Sequence, residues 1–108
     1  VLMKKYRIGL EAVRNVYLAG AFGTYVQTST LMEFGIIPAF SNAVFHQIGN
    51  GSLSGAFTTL LSLDQRKTAD DIAKKMVYID LLTDIDFIEE YTAALYIPGR
   101  KELFPDQI

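Results

Sequence analysis

Apolar positions along the chain switch between helical and strand spacing, and the switches divide it into short segments. Leu2, Tyr6, Leu10 and Val13 recur at about helical spacing, with Gly9 interrupting them; this predicts a helix, a break at Ile8-Gly9 and a short second helix from Leu10. Arg14-Asn15 turns into an apolar strand, Val16 to Ala19, which runs directly into Gly20-Ala21-Phe22-Gly23. Thr24 to Gln27 follows neither period. Thr28 to Phe34 reads as a short helix, stopped by Gly35 and fenced by Pro38. Ile36 to Asn42 is a connector, and Ala43 to Ile48 a short strand leading into a second glycine cluster, Gln47-Ile48-Gly49-Asn50-Gly51.

Leu53, Ala56, Phe57, Leu60 and Leu61 stand at i, i+3, i+4, i+7 and i+8 and mark the clearest amphipathic helix, with Ser52 or Ser54 as its cap. Gly55 inside it costs about 1 kcal/mol against Ala. A bare position there fits a first turn packed on a ligand or backbone, or close helix–strand packing. Thr68-Ala69-Asp70-Asp71 resembles a capping box, followed by the stripe Ala69, Ile72, Ala73 and Met76. Asp70 with Lys74 and Asp71 with Lys75 are acid-before-base pairs on a solvated face. Val77 to Leu82 reads as a strand by its β-branched and aromatic content. Phe87, Ile88, Tyr91, Ala94 and Leu95 stripe a last helix, with Asp86 at the cap and Glu89 three residues on. Ile97-Pro98-Gly99-Arg100 ends regular structure, and Lys101 to Ile108 is expected to be an extended tail or linker. The predicted fold class is α/β, a few-stranded sheet with packed helices.

Composition narrows the function more than the fold. Half of the 108 residues are hydrophobic, which fits one domain with a modest core and excludes a disordered tail. A formal net charge of −2 with scattered Lys and Arg gives no footprint for nucleic acid. No apolar run approaches the roughly 18–20 residues of a membrane span, and the opening Val1-Leu2-Met3-Lys4-Lys5 reverses the order of a signal peptide. The lack of cysteine removes thiolate zinc and iron–sulfur ligation within these residues and fits a cytoplasmic setting. The first residue is Val within a helical pattern, so the chain reads as an excised piece of a larger protein.

The two glycine clusters are the main chemical lead. Each follows an apolar strand and opens a helical pattern, the outline of a nucleotide-facing edge in an α/β sheet. Neither is a Walker loop or a complete dinucleotide fingerprint, so nucleotide contact and a purely structural strand–helix turn both stand. His46, the single histidine, is read as a packed or partly exposed strand residue rather than a metal ligand. Asp80, Asp84, Asp86, Glu89 and Glu90 are read as caps and helix-start acids, with Asp80 the least explained. No Gly-x-Ser-x-Gly elbow appears.

Val16 to Gly23, Gly35-Ile36-Ile37-Pro38 and Gln47 to Ala56, followed by Ile72 to Leu81 and Asp86 to Tyr91, together resemble the C-terminal part of the ATP-dependent reductive activators of corrinoid proteins. That family belongs to the acetate and sugar kinase, heat-shock chaperone and actin superfamily. The resemblance implies a ribonuclease-H-like half-lobe. In it, Gly20, Ala21, Phe22 and Gly23 form the adenosine-side loop, and Gly49, Asn50 and Gly51 open the neighbouring helix. It implies residues 1–97 as a subdomain of an actin-like ATPase lobe, and 98–108 as a tail or linker toward a ferredoxin-type domain. Its members bind ATP with Mg and carry an iron–sulfur cluster in a separate domain. They reduce cob(II)alamin to cob(I)alamin on a partner corrinoid methyltransfer protein, and a homodimer is compatible with the resemblance. Two departures stand out: Gln27-Thr28 where the family commonly has Asp-Pro, and Ser52-Leu53 where it usually has small residues. Two rival functions are a ligand-free interaction module, docking through the helices Leu53–Leu61 and Phe87–Leu95, and a kinase lobe of the same superfamily.

Overall fold

The computed structural model describes residues 1–97 and 99–104. It runs α1 (Leu2–Tyr6), β1 (Asn15–Ala19), α2 (Gly20–Tyr25), α3 (Thr28–Glu33), β2 (Val44–Gly49), α4 (Gly51–Leu61), α5 (Leu63–Lys75) and α6 (Ile85–Ala94). Short 3₁₀ turns lie at Leu10–Ala12 and Leu81–Thr83. β1 and β2 form a parallel pair, the topology that requires a crossover, here through α2 and α3. This is the α/β class the sequence predicts.

The starts of α4, α5 and α6 are set by side chains that accept a backbone N–H. Asn50, not Ser52 or Ser54, caps α4 by accepting from Leu53 N at 3.0 Å. Ser62 caps α5, accepting from Gln65 N at 3.3 Å, so α5 begins well before the predicted capping box. Thr68 lies mid-helix, where its hydroxyl donates back to Asp64 O at 2.9 Å. Asp84, not Asp86, caps α6 by accepting from Phe87 N at 3.1 Å. In each case the cap stands two or more residues before the first apolar position of the stripe.

The predicted strand Val77–Leu82 is not one. Residues 76–80 carry no regular structure, and Asp80 accepts from Leu82 N at 3.0 Å, closing the 3₁₀ turn at Leu81–Thr83. β-propensity needs a neighbouring strand to act on, and these residues have none among those described. The tail expected to be extended from Lys101 instead turns at 101–103. Leu103 O accepts from Ala39 N at 2.9 Å, and Phe104 is buried. The remaining linker expectations, on Pro98 and residues 105–108, lie outside the described residues.

Burial is sparse. Leu31 and Phe104 are the buried apolar residues among those described. The accessible surface is 8686 Å², against about 6,000 Å² for a folded monomer of this mass. The radius of gyration is 16.5 Å, against about 13 Å for a compact domain of this length. Exposed apolar residues include helix faces: Leu53, Phe57, Leu60 and Leu61 of α4 and Ile88 and Tyr91 of α6.

Candidate functional site

Because the strands are parallel, their C-terminal ends emerge on one side, and the register sets Ala19 opposite Gly49 after a slip between Leu18 and Ala19. Both glycine clusters therefore meet at one end of the sheet. Gly20 begins α2 at φ +80°, and Gly49 ends β2 at φ +62°, backbone that side chains with a Cβ rarely adopt. A Cβ added to either would meet nothing within 4 Å, so their open sides form a bare backbone surface.

The other two glycines do a different job. A Cβ on Gly23 would sit 2.7 Å from the Leu18 carbonyl carbon, so its absence lets α2 lie directly on β1. A Cβ on Gly51 would come 3.4 Å from Ile48 Cδ1 and 3.8 Å from Ala19 Cβ, bringing the start of α4 close to the end of β1. Ala21 is exposed on α2, and Phe22 follows it in the same helix. Thr24 Oγ1 donates to Gly20 O at 2.9 Å within α2, and Gln47 Nε2 of β2 donates to Val26 O at 3.4 Å, tying the segment just after α2 to the second strand. The predicted residues Gly20 to Gly23 and Gly49 to Gly51 are thus brought together.

The stretch that builds the corner carries no cationic side chain. No Lys or Arg occurs between Arg14 and Arg66, a signal readable in the sequence that sharpens the chemistry. The first turn of α4 also spends one of its free N–H groups, that of Leu53, on the Asn50 cap. Such a surface suits a flat, neutral group better than a chain of phosphates.

One face of the sheet carries an arrangement that periodicity alone does not reveal. Tyr17 and His46 are register partners whose rings stack at 4.7 Å and 18°. His46 Nε2 lies 2.8 Å from Asn15 Oδ1, which accepts when the ring is protonated at Nε2. The sequence reading of His46 as a packed or partly exposed strand residue agrees with this placement. Among the described residues, no cluster of three His, Cys, Asp or Glu side chains is placed to hold a metal ion.

The charged groups gather at α1 and α6 instead. Lys4 Nζ lies 2.6 Å from Glu90 Oε1 and 3.9 Å from Asp86, while Lys5 Nζ lies 2.5 Å from Asp84 and 3.6 Å from Asp86. Arg100 Nε donates to Glu90 Oε2 at 3.1 Å. Asp84 is 9% exposed. The hydrogen bond from Lys5 holds the Asp84 carboxyl below its ordinary range, and that from Lys4 does the same to Glu90. The same bonds raise Lys4 and Lys5 above the ordinary lysine value. Beside this cluster opens a largely apolar cavity of about 810 Å³, lined by Leu2, Met3, Leu10, Phe40 and Phe87. A smaller one of about 250 Å³ lies against Gly35, Ala93 and Phe104. Neither cavity includes a glycine-corner residue.

With this geometry in place, comparison with known proteins is informative. The sequence model of a family described as the C-terminal domain of RACo, the ASKHA domain, matches residues 1–107. A protein of Eubacterium limosum described as corrinoid activation enzyme RamQ is 31% identical over 91 residues, covering 84% of this chain. The chain spans 15% of the length of that relative.

Proposed function

This chain belongs to the family of the C-terminal ASKHA domain of RACo, and we propose that it supplies the adenosine-side corner of an ATP-binding lobe in a corrinoid activation enzyme. In that enzyme, ATP drives delivery of an electron from an iron–sulfur centre held elsewhere. The electron reduces cob(II)alamin to cob(I)alamin on a corrinoid methyltransfer protein. The observation that carries the reading is the pairing of Ala19 with Gly49, which joins the two bare corners at the C-terminal end of parallel strands. That end is where open α/β sheets take their ligands.

The corner's chemistry supports the nucleoside rather than the phosphates as its share of the ligand. Gly20 and Gly49 offer open backbone on which a purine or ribose can lie, and the surrounding stretch has no cation to grip phosphate. Phosphate, Mg and the iron–sulfur cluster fall to other parts of the enzyme. A Gly20→Val substitution in the full-length protein is expected to weaken ATP binding about tenfold, by strain at positive φ and by a side chain on the ligand's side. Calorimetric titration of ATP reads this, with a thermal melt to establish that the variant folds. A folded variant with unchanged affinity refutes the assignment.

A second reading is favoured by the open faces of α4 and α6. On this reading the chain is an interaction module, its helices docking the corrinoid protein or a second subunit while the glycine turns are structural. Amide shifts at Gly20 to Gly23 on adding ATP to the full-length protein support the first reading; their absence supports the second.

A further inference from the structure

We propose that α1 is an ionically held strap, hinged at 7–9, which closes one side of the apolar cavity between itself and α6. The helix buries none of its residues, and Leu2 and Tyr6 are exposed. Its backbone hydrogen bonds stay local: Lys5 N to Val1 O, Arg7 N to Lys4 O and Ile8 N to Met3 O. Among the described residues, the polar ties from α1 to another element are the ion pairs of Lys4 and Lys5 with Asp84, Asp86 and Glu90.

The hinge is visible in the backbone. Arg7 ends α1 at φ 53°, the single described residue other than glycine at positive φ, and Gly9 follows two positions later. This left-handed C-cap, its N–H donating to Lys4 O, stops α1 and leaves residues 8 and 9 outside regular structure. Leu2 and Met3 on α1 form one cavity wall, with Leu81 and Phe87 opposite. Moving α1 about its hinge therefore opens the cavity while β1, β2 and α4, which take no part in these ion pairs, keep their arrangement. Ion pairs of this exposure weaken with salt, so ionic strength sets how far the strap is closed.

The test is amide hydrogen exchange in the full-length protein, read at residues 2–8 with α5 as the internal reference. Raising salt from about 0.05 M to about 1 M is expected to speed exchange at residues 2–8 roughly tenfold. The double substitution Lys4→Gln, Lys5→Gln is expected to do the same at low salt, and Lys4→Arg, Lys5→Arg to keep exchange near the original rate. Unchanged exchange in the Gln pair overturns the proposal, because charge is then not what holds α1. An Arg pair that exchanges like the Gln pair overturns it for the same reason. An equal rise in α5 overturns it too, since the lysines then stabilise the whole fold.

Discussion

The two ends of the molecule are built on opposite principles. At the glycine corners, position is set by backbone: parallel register, positive φ and missing Cβ atoms, with no cationic side chain in the stretch that builds them. At the α1–α6 end, position is set by long charged side chains reaching over an apolar hollow. Backbone-built geometry is stiff and insensitive to solution conditions, whereas ion pairs between partly exposed groups respond to salt and pH. The contrast teaches that a bare backbone surface can be assembled from what side chains leave out.

The sharpest way to break the contrast is Gly23→Val. Its Cβ would stand 2.7 Å from Leu18 backbone, so α2 must lift off β1, and a loss of about 3 kcal/mol is expected in chemical denaturation. A loss under about 1 kcal/mol would show that the corner is softer than its geometry implies.

A pH series separates the ends next. Asp84 and Glu90 titrate below their ordinary values of 3.8 and 4.5, so their stabilisation is complete above those values and fades as pH falls through the depressed ones. Lys4 and Lys5 titrate above 10.5, so theirs is complete below that value and fades as pH rises through the raised ones. Exchange at α1 is therefore expected to be flat, after correction for intrinsic rates, across about pH 5 to about pH 10, and to rise as pH falls through the depressed carboxyl values or climbs through the raised lysine values. Exchange at β1 should not follow it below pH 4 if the two ends are independent.

The smallest effect has the opposite sign. A Cβ at Gly55 meets nothing within 4 Å, so no strand of this chain explains the glycine. Gly55→Ala is expected to stabilise α4 by about 1 kcal/mol in a thermal melt. Destabilisation instead would reveal a partner seated on that face of the helix.

Much of this was readable from residue order. The strand–glycine–helix junctions at Gly20 and Gly49 follow from apolar runs ending in bare backbone, and both stand where the pattern puts them. The stripe from Leu53 to Leu61 likewise becomes α4. Caps were harder, since Ser, Thr, Asn and Asp near a helix start compete for the same N–H groups and local geometry chooses among them. Asn50 and Asp84 won over Ser52 and Asp86. The strand expected at Val77–Leu82 failed because pairing is non-local and composition carries no partner. The clasp was hidden for a similar reason: Lys4 and Glu90 are distant in sequence, and neither lies in a motif.

Parallel pairing also dictates an order of events during folding. Asn15 meets Val44 only after the intervening segment has been made and gathered in, and closing a loop of that length costs about 3 kcal/mol of chain entropy. β1 therefore waits for β2 as the chain is synthesised, while α4 and α5, whose contacts are local, can form at once. The sheet edge that gives the corner its shape therefore carries a chain-closure cost that neither neighbouring helix bears.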